Sequence, residues 1–344
     1  MTEQAMQTLS RRDARRAGAD STLTIPPEGA EGLFSESWFP LCKSSEVAVG
    51  KLKGVDFLDG RVVVFRDSQN KAHVLSAYCP HVGADLSVGD CTQDTIRCGF
   101  HRWRFDATGR CVATAAGDPP PPRASLFKYP AAERYGLIWA FNGTAPTWQI
   151  PDLGRPEEVL EMRIEYDVPT YPVDPWVICA NTPDWQHLRT VHGLEFDHLA
   201  LKDKITWTES SVRYPLSGRY LDAKAATLDV QVGIYGTSIF TMVGEVFGRW
   251  FGSMAAFGMP RPGVTQGFIV VSTERVPGDT SDSLAPLLAQ TLHLGIAMTR
   301  EDRPILHGIR YRPRNLTASD AVLARYLQMV RAFPRSHAGA DFIR

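Results

Sequence analysis

The chain has 344 residues, with 37 Lys and Arg against 38 Asp and Glu for a formal charge of −1, and 44% of it is hydrophobic. That length and apolar content support a sizeable buried core shared between about two domains, while the balanced charge gives no reason to expect nucleic acid or an anionic membrane, both of which demand a clustered basic surface. A small, nearly neutral or apolar ligand is expected, and no run reaches the roughly eighteen apolar residues of a membrane span.

Residues 1–32 are polar and are expected to form a disordered extension. Ser10-Arg11-Arg12-Asp13 looks superficially like a twin-arginine signal, but no apolar region follows it. From Trp38 to Asn142, short β-runs alternate with turns: GRVVVFRD, then Ser68 to Lys71, then AHVLSAY, and later RYGLIWAFNG. This reads as a small all-β domain over residues 33–148. Gly117 to Pro122, with four consecutive prolines, can neither pair in a central strand nor continue a helix, so it should be a surface loop. Ala145 to Pro151 reads as a linker.

Residues 149–344 then form the second domain. VICANTPDWQHLRTVH has helical length, but Pro183 should break or restart it. Asn181, Asp184 and His187 stand at i, i+3 and i+6, which places them on one helix face. Segments from 204 to 276 alternate β-branched and aromatic residues with Gly and Pro turns and should form a larger antiparallel sheet. Val322, Tyr326, Met329 and Val330 lie at helical spacing behind a Ser319 or Asp320 cap, giving an amphipathic C-terminal helix. The fold class is therefore α+β: a small all-β domain followed by a domain with a central antiparallel sheet flanked by helices.

Six cysteines are too few for a disulfide scaffold in a chain of this length, and two sit at metal-ligand spacing, so a reducing cytoplasm is the expected location. Cys79-x-His81 and Cys98-x-x-His101 form two short loops, each offering one thiolate and one imidazole. Two Cys and two His also describe a zinc site, but zinc fingers usually pair Cys with Cys and His with His. The mixed pairing favours a [2Fe–2S] cluster with two thiolates on one iron and two imidazoles on the other. Gly83, Gly89 and Gly99 supply permissive backbone around it. Cys42, Cys91, Cys111 and Cys179 have no partner at ligand spacing and read as small buried hydrophobes.

With Trp103, Phe105, Asp106 and Gly109, these loops resemble the Rieske family from Trp38 to Asn142. Gly99 stands where the family usually has Pro, and Arg102 where it usually has Gly. Downstream, Asn181-x-x-Asp184-x-x-His187-x₄-His192 resembles the catalytic-iron motif of Rieske non-haem iron oxygenases. Two His with a carboxylate suit iron, whose opposite coordination positions stay open for O₂ and substrate. The resemblance implies that His187 and His192 bind iron, that Asn181 stands near it, and that Asp184 bridges an iron histidine and a cluster histidine of a neighbouring subunit. The third ligand is expected from Glu301-Asp302, which resembles the family's Gln/Glu-Asp-x-x-Ile segment and favours Asp302 over Glu301; the competing reading is a solvated acidic pair.

The resemblance further implies a terminal oxygenase component fed from NAD(P)H through a separate ferredoxin or flavin reductase, since the chain has no Gly-x-Gly-x-x-Gly dinucleotide fingerprint. A homotrimer is implied too. The pocket is expected along the second sheet, with Tyr235, Ile239, Phe240, Met242, Phe247 and Trp250 among its lining residues. The substrate should be an aromatic or alicyclic molecule, mono-oxygenated in the manner of ketosteroid hydroxylases or arylamine N-oxygenases. The rivals are a ring-cis-dihydroxylating dioxygenase, an oxidative demethylase, and an electron-transfer protein whose second domain only binds.

Overall fold

The computed structural model describes residues 24–221, 227–246, 248–312 and 314–344. Ser10 to Asp13 lie outside the described residues. From Thr24 onward, however, the expected extension is packed: Ile25 enters the larger core, and Glu28 is buried. The Glu28 carboxylate accepts from Ser35 N and Ser35 Oγ and pairs with Arg335 at 2.9 Å. A buried charge is tolerated because it is paired and hydrogen-bonded in this way.

The N-terminal half is built from three small antiparallel sheets. One joins Leu52–Phe57, Gly60–Arg66, Ala72–Ser76 and Lys128–Tyr129. A second joins Trp38–Lys43, Leu137–Phe141 and Ala131–Arg134. The third joins Asp90–Thr92, Thr95–Arg97, Arg104–Phe105 and Cys111–Ala113, and its hairpin ends carry the second Cys/His loop. The proline run is an exposed loop without regular structure.

The C-terminal half is organised on an eight-stranded antiparallel sheet running Leu160–Tyr171, Val264–Glu274, Arg249–Arg261, Ile239–Val246, Thr227–Tyr235, Ser211–Tyr220 and Leu194–Phe196, with Thr206–Trp207 also on Ser211–Tyr220. Because side chains alternate across a strand, the sheet buries two different faces. Tyr235, Ile239, Trp250 and Met254 pack with Trp38, Tyr135 and Trp139 of the N-terminal half. Phe240, Met242, Phe251 and Phe257 face the opposite core, with Trp176, Trp185 and Leu188. The lining residues expected from the sequence are thus split between two cores, and Phe247 lies outside the described residues.

Among the described residues, four helices of six residues or more complete this half, α1 Pro175–Ala180, α2 Trp185–Thr190, α3 Ser281–Leu306 and α4 Ala321–Ala332, with one further turn of helix at Ala340–Ile343. Pro183 breaks the first two apart, as its missing N–H and ring require. Asn181, Asp184 and His187 are consequently not on one continuous helix face. Asn181 closes α1, Asp184 caps α2, and His187 sits in the first turn of α2. In α4, Val322, Tyr326 and Val330 are buried as their spacing predicts. Asp320 is the N-cap residue of α4, but its side chain folds back to accept from Thr317 N at 2.7 Å and from Gln186 Nε2 at 2.6 Å, tying α4 to α2.

Sequence reading missed α3, the 26-residue helix. Its start is marked by a reciprocal cap between Thr280 and Ser283. Leu284, Leu288 and Leu292 recur at four-residue spacing and are buried, the last two against Ile269 and Val271 of the sheet. Pro286 and Pro304 interrupt the pattern and hide it from a sequence scan. Among the described residues, no helix is long and apolar enough to cross a membrane.

Candidate metal centres

The first site sits at the tip of the N-terminal half. Its two loops close in the same way: Gly83 N donates to Cys79 O at 2.8 Å, and Arg102 N donates to Cys98 O at 3.2 Å. A Cβ on Gly89 would stand 2.1 Å from Arg97 O, so that glycine is needed for the two loops to meet. Arg102 adopts φ 59°, a left-handed conformation strained for any residue with a Cβ. The glycine usual at this position would relieve that strain.

The loops bury the sulfurs and leave the imidazoles outside. Cys79 and Cys98 are 2% and 1% exposed, and Cys79 is pushed up to about 12 by burial, with the neighbouring Cys98 adding to the shift. Paired buried thiols of that kind have no use as nucleophiles, but as thiolates they suit a cation. His81 is exposed, and its Nδ1 faces His101 Nδ1 at 3.1 Å. Trp103 stacks on His81 at 4.3 Å between centroids, and Phe100 covers His101 at 3.7 Å. Two sulfurs inside and two converging Nδ1 atoms outside match the donor set of a cluster with a thiolate iron and an imidazole iron.

The second site joins α2, the loop after it and the far end of α3. Asp184 Oδ1 accepts the backbone N–H of His187 at 2.9 Å, capping α2 and fixing the turn from which His187 projects. Gly193, at φ 62°, turns the chain away directly after His192. His187 Nε2 and His192 Nε2 face each other at 3.0 Å, and Asp302 Oδ1 lies 3.2 Å from each. Bonds of about 2.1 Å at right angles place neighbouring ligand atoms about 3 Å apart. A triangle of this size would fit one face of an octahedrally coordinated ion.

Asp302 Oδ1 is buried with no hydrogen-bond donor, the condition expected of an atom reserved for a cation. Burial alone would raise the Asp302 pKa, but His187 and His192 outweigh it and hold the carboxyl well below its usual range. Its other oxygen accepts from Asn181 Nδ2 at 3.1 Å. Of the acidic pair, Asp302 meets the two Nε2 atoms, while Glu301 Oε2 meets Nδ1 of His192 at 2.8 Å on the opposite side of the ring. Among the described residues, Asp184 makes no hydrogen bond to the ring of His187; its carboxylate serves the helix amide. His187, His192 and Asp302 are the one group of three such ligands gathered within 4.8 Å among the described residues.

Residues 37–130 match the family model for the Rieske [2Fe-2S] domain. The chain is also similar in fold to Pseudomonas putida CBB5 NdmA with caffeine, with a TM-score of 0.66 at 17% identity over 86% of this chain and 89% of that one. Residues 37–130 are thus a Rieske [2Fe-2S] domain. The chain is likewise similar in fold to dicamba monooxygenase bound to dicamba, with a TM-score of 0.63 at 17% identity over 86% of this chain and 97% of that one.

Among curated proteins, it is 33% identical to cholesterol 7-desaturase nvd 1 of Ciona intestinalis over 188 residues, which is 53% of this chain and 37% of that protein. It is 32% identical over 133 residues to the oxygenase component of 3-ketosteroid-9-alpha-monooxygenase of Rhodococcus rhodochrous, covering 38% of this chain and 34% of that protein. The matched stretches thus cover little more than a third of these curated relatives.

Proposed function

We propose that this chain is the terminal oxygenase component of a multicomponent Rieske system, mono-oxygenating a hydrophobic aromatic or alicyclic small molecule with O₂ and electrons drawn from NAD(P)H. In this reading Cys79, His81, Cys98 and His101 hold the [2Fe–2S] cluster, and His187, His192 and Asp302 hold a mononuclear Fe(II). The observation that carries it is the triangle of two Nε2 atoms and one carboxylate oxygen, 3.0 to 3.2 Å on a side. An Fe(II) bound there supplies an open coordination face at which O₂ and substrate can meet.

The chain's own residues prepare that face. Asn181 holds the outer oxygen of Asp302, leaving the inner one free to ligate. Trp176, Trp185, Leu188 and Val232 form the apolar core beneath α1 and α2, which keeps water away and favours an apolar substrate. The domain division at 33–148 and 149–344 follows from this allocation of the two sites. Sterol- and steroid-named relatives, together with fold neighbours solved with caffeine and dicamba, support a ring compound as substrate.

The electron donor is a ferredoxin or flavin reductase, and the assembly is a homotrimer in which Asp184 connects the iron site of one subunit with His101 of the next. The exposure of His81, and of Phe100, which lies against His101 and is 64% exposed, supports a docked partner at the cluster loops. Ring dihydroxylation is the second reading, favoured by a match at 32% identity over 141 residues to 3-chlorobenzoate-3,4-dioxygenase oxygenase subunit of Comamonas testosteroni.

Metal analysis and turnover test the proposal together. About three irons and two acid-labile sulfides per chain are expected, with one ¹⁸O atom entering product when a panel of steroids and aromatic acids is supplied with ¹⁸O₂ and a reductase. Zinc in both sites would overturn it, and two labelled oxygens would select the dioxygenase reading.

A further inference from the structure

We infer that Glu301, the residue before the proposed iron ligand Asp302, is a positioning residue that fixes the tautomer and orientation of His192. The inference rests on the reading that His187, His192 and Asp302 form the mononuclear metal site.

Glu301 Oε2 lies 2.8 Å from His192 Nδ1, while His192 Nε2 faces Asp302 Oδ1 at 3.2 Å and His187 Nε2 at 3.0 Å. A neutral imidazole carries its proton on one nitrogen only. An ionised carboxylate at Nδ1 can only accept, so the proton resides there and the Nε2 lone pair points into the triangle. With a metal in place of any proton on Nε2, the bond holds the remaining proton on Nδ1 and fixes the orientation of the ring.

The placement follows from helix geometry. Successive residues of α3 project about 100° apart, at 3.6 residues per turn, so Glu301 and Asp302 diverge and reach opposite edges of the same ring. Arg303 holds that rotation by donating to Asp167 Oδ1 at 2.8 Å and to Pro169 O at 2.6 Å, with its guanidinium 4.6 Å over the Tyr171 ring. Three consecutive residues thus have separate tasks: one orients a ligand, one ligates, and one anchors the helix to the sheet. His192 is 4% exposed at its side chain and Glu301 46%. The carboxylate accordingly closes the solvent side of the ring, and replacing it leaves no cavity in the core.

The test uses the full chain with its cluster in place and the mononuclear site emptied by a chelator, titrated anaerobically with Co(II) and followed by its ligand-field absorption. Glu301→Ala should weaken Co(II) binding by about 10- to 100-fold, the usual effect of losing such a partner, and should alter the ligand-field bands. Glu301→Gln, whose amide oxygen still accepts from Nδ1, should stay within about threefold of the parent on the same scale. Cluster absorption should be unchanged in both, which also shows that the variants fold. Parent-like affinity and bands in Glu301→Ala would overturn the inference, and so would a loss in Glu301→Gln equal to that in Glu301→Ala. His187→Ala serves as the separate control: if it binds Co(II) like the parent, the ligand assignment itself is wrong, whatever the Glu301 variants do.

Discussion

Replacing Asp184 with Ala, Ser and Asn should separate the two tasks open to one carboxylate beside His187. Its Oδ1 accepts the His187 amide at 2.9 Å, closing the N-terminus of the six-residue helix α2. Losing the acceptor costs about 0.5–2 kcal/mol, and losing the negative charge at the positive end of the helix costs about 0.3–1 kcal/mol more. Ala forfeits both terms, whereas Asn and Ser keep the acceptor and lose only the charge.

For a domain of about 200 residues, 1 kcal/mol moves the midpoint by about 2–4 °C. Ala should therefore lower the thermal midpoint by about 3–6 °C, and Asn and Ser by less than about 3 °C. Because the capped amide belongs to His187 itself, fraying of that turn also moves a proposed metal ligand. Iron content should fall in Ala and hold in Asn and Ser, while turnover should fall in all three, since each lacks the carboxylate proposed to link neighbouring subunits. Calorimetry, iron assay and product analysis on the three variants decide it. Equal iron loss in Asn and Ala would refute the capping argument, and near-normal turnover in Asn would refute the link.

His101→Ala should abolish the visible absorption of the cluster, whereas His187→Ala and Asp302→Ala should keep it and lose the mononuclear iron; joint loss in every variant would contradict two separate sites. Asn181→Leu removes the donor to Asp302 Oδ2 at 3.1 Å. A hydrogen bond to a charged group is worth about 1.5–3 kcal/mol, so mononuclear metal affinity should drop by about tenfold or more, measured by chelator competition. An unchanged affinity would assign Asn181 to packing alone.

Remote from both sites, burial lowers the pKa of His337 below its usual 6.5, against a backbone contact to Gly32 that raises it. The unfolded chain then takes up this proton first as pH falls, so the stability contribution is complete above about pH 6.5 and is lost below it. The thermal midpoint should drop more between pH 7.5 and 5.5 in the parent than in His337→Gln; parallel curves would exclude His337 as the cause.

The candidate ligand types and their local spacing were legible in the chain itself. Cys79 with His81, Cys98 with His101, and His187 with His192 each lie within one loop or turn, where a few residues of backbone fix which donors can converge. The break at Pro183 and the surface loop of prolines were legible for the same reason, since proline acts on its own backbone. Strand alternation was equally visible, but a period of two states only that Ile239 and Phe240 point apart. Which side met Trp139 and which met Trp185 depended on two cores of the same apolar chemistry.

Tertiary structure alone decided the rest. It carried Asp302 across 121 residues to Asn181 and gave Asp302 and Glu301 opposite edges of one imidazole. It also bound residues from Thr24 onward through Glu28 N to Asp174 at 2.9 Å and through the Glu28 carboxylate to Arg335. These contacts join segments far apart in the chain. Their free energy appears only when desolvated charges find partners that the folded sheet and the long helix bring together.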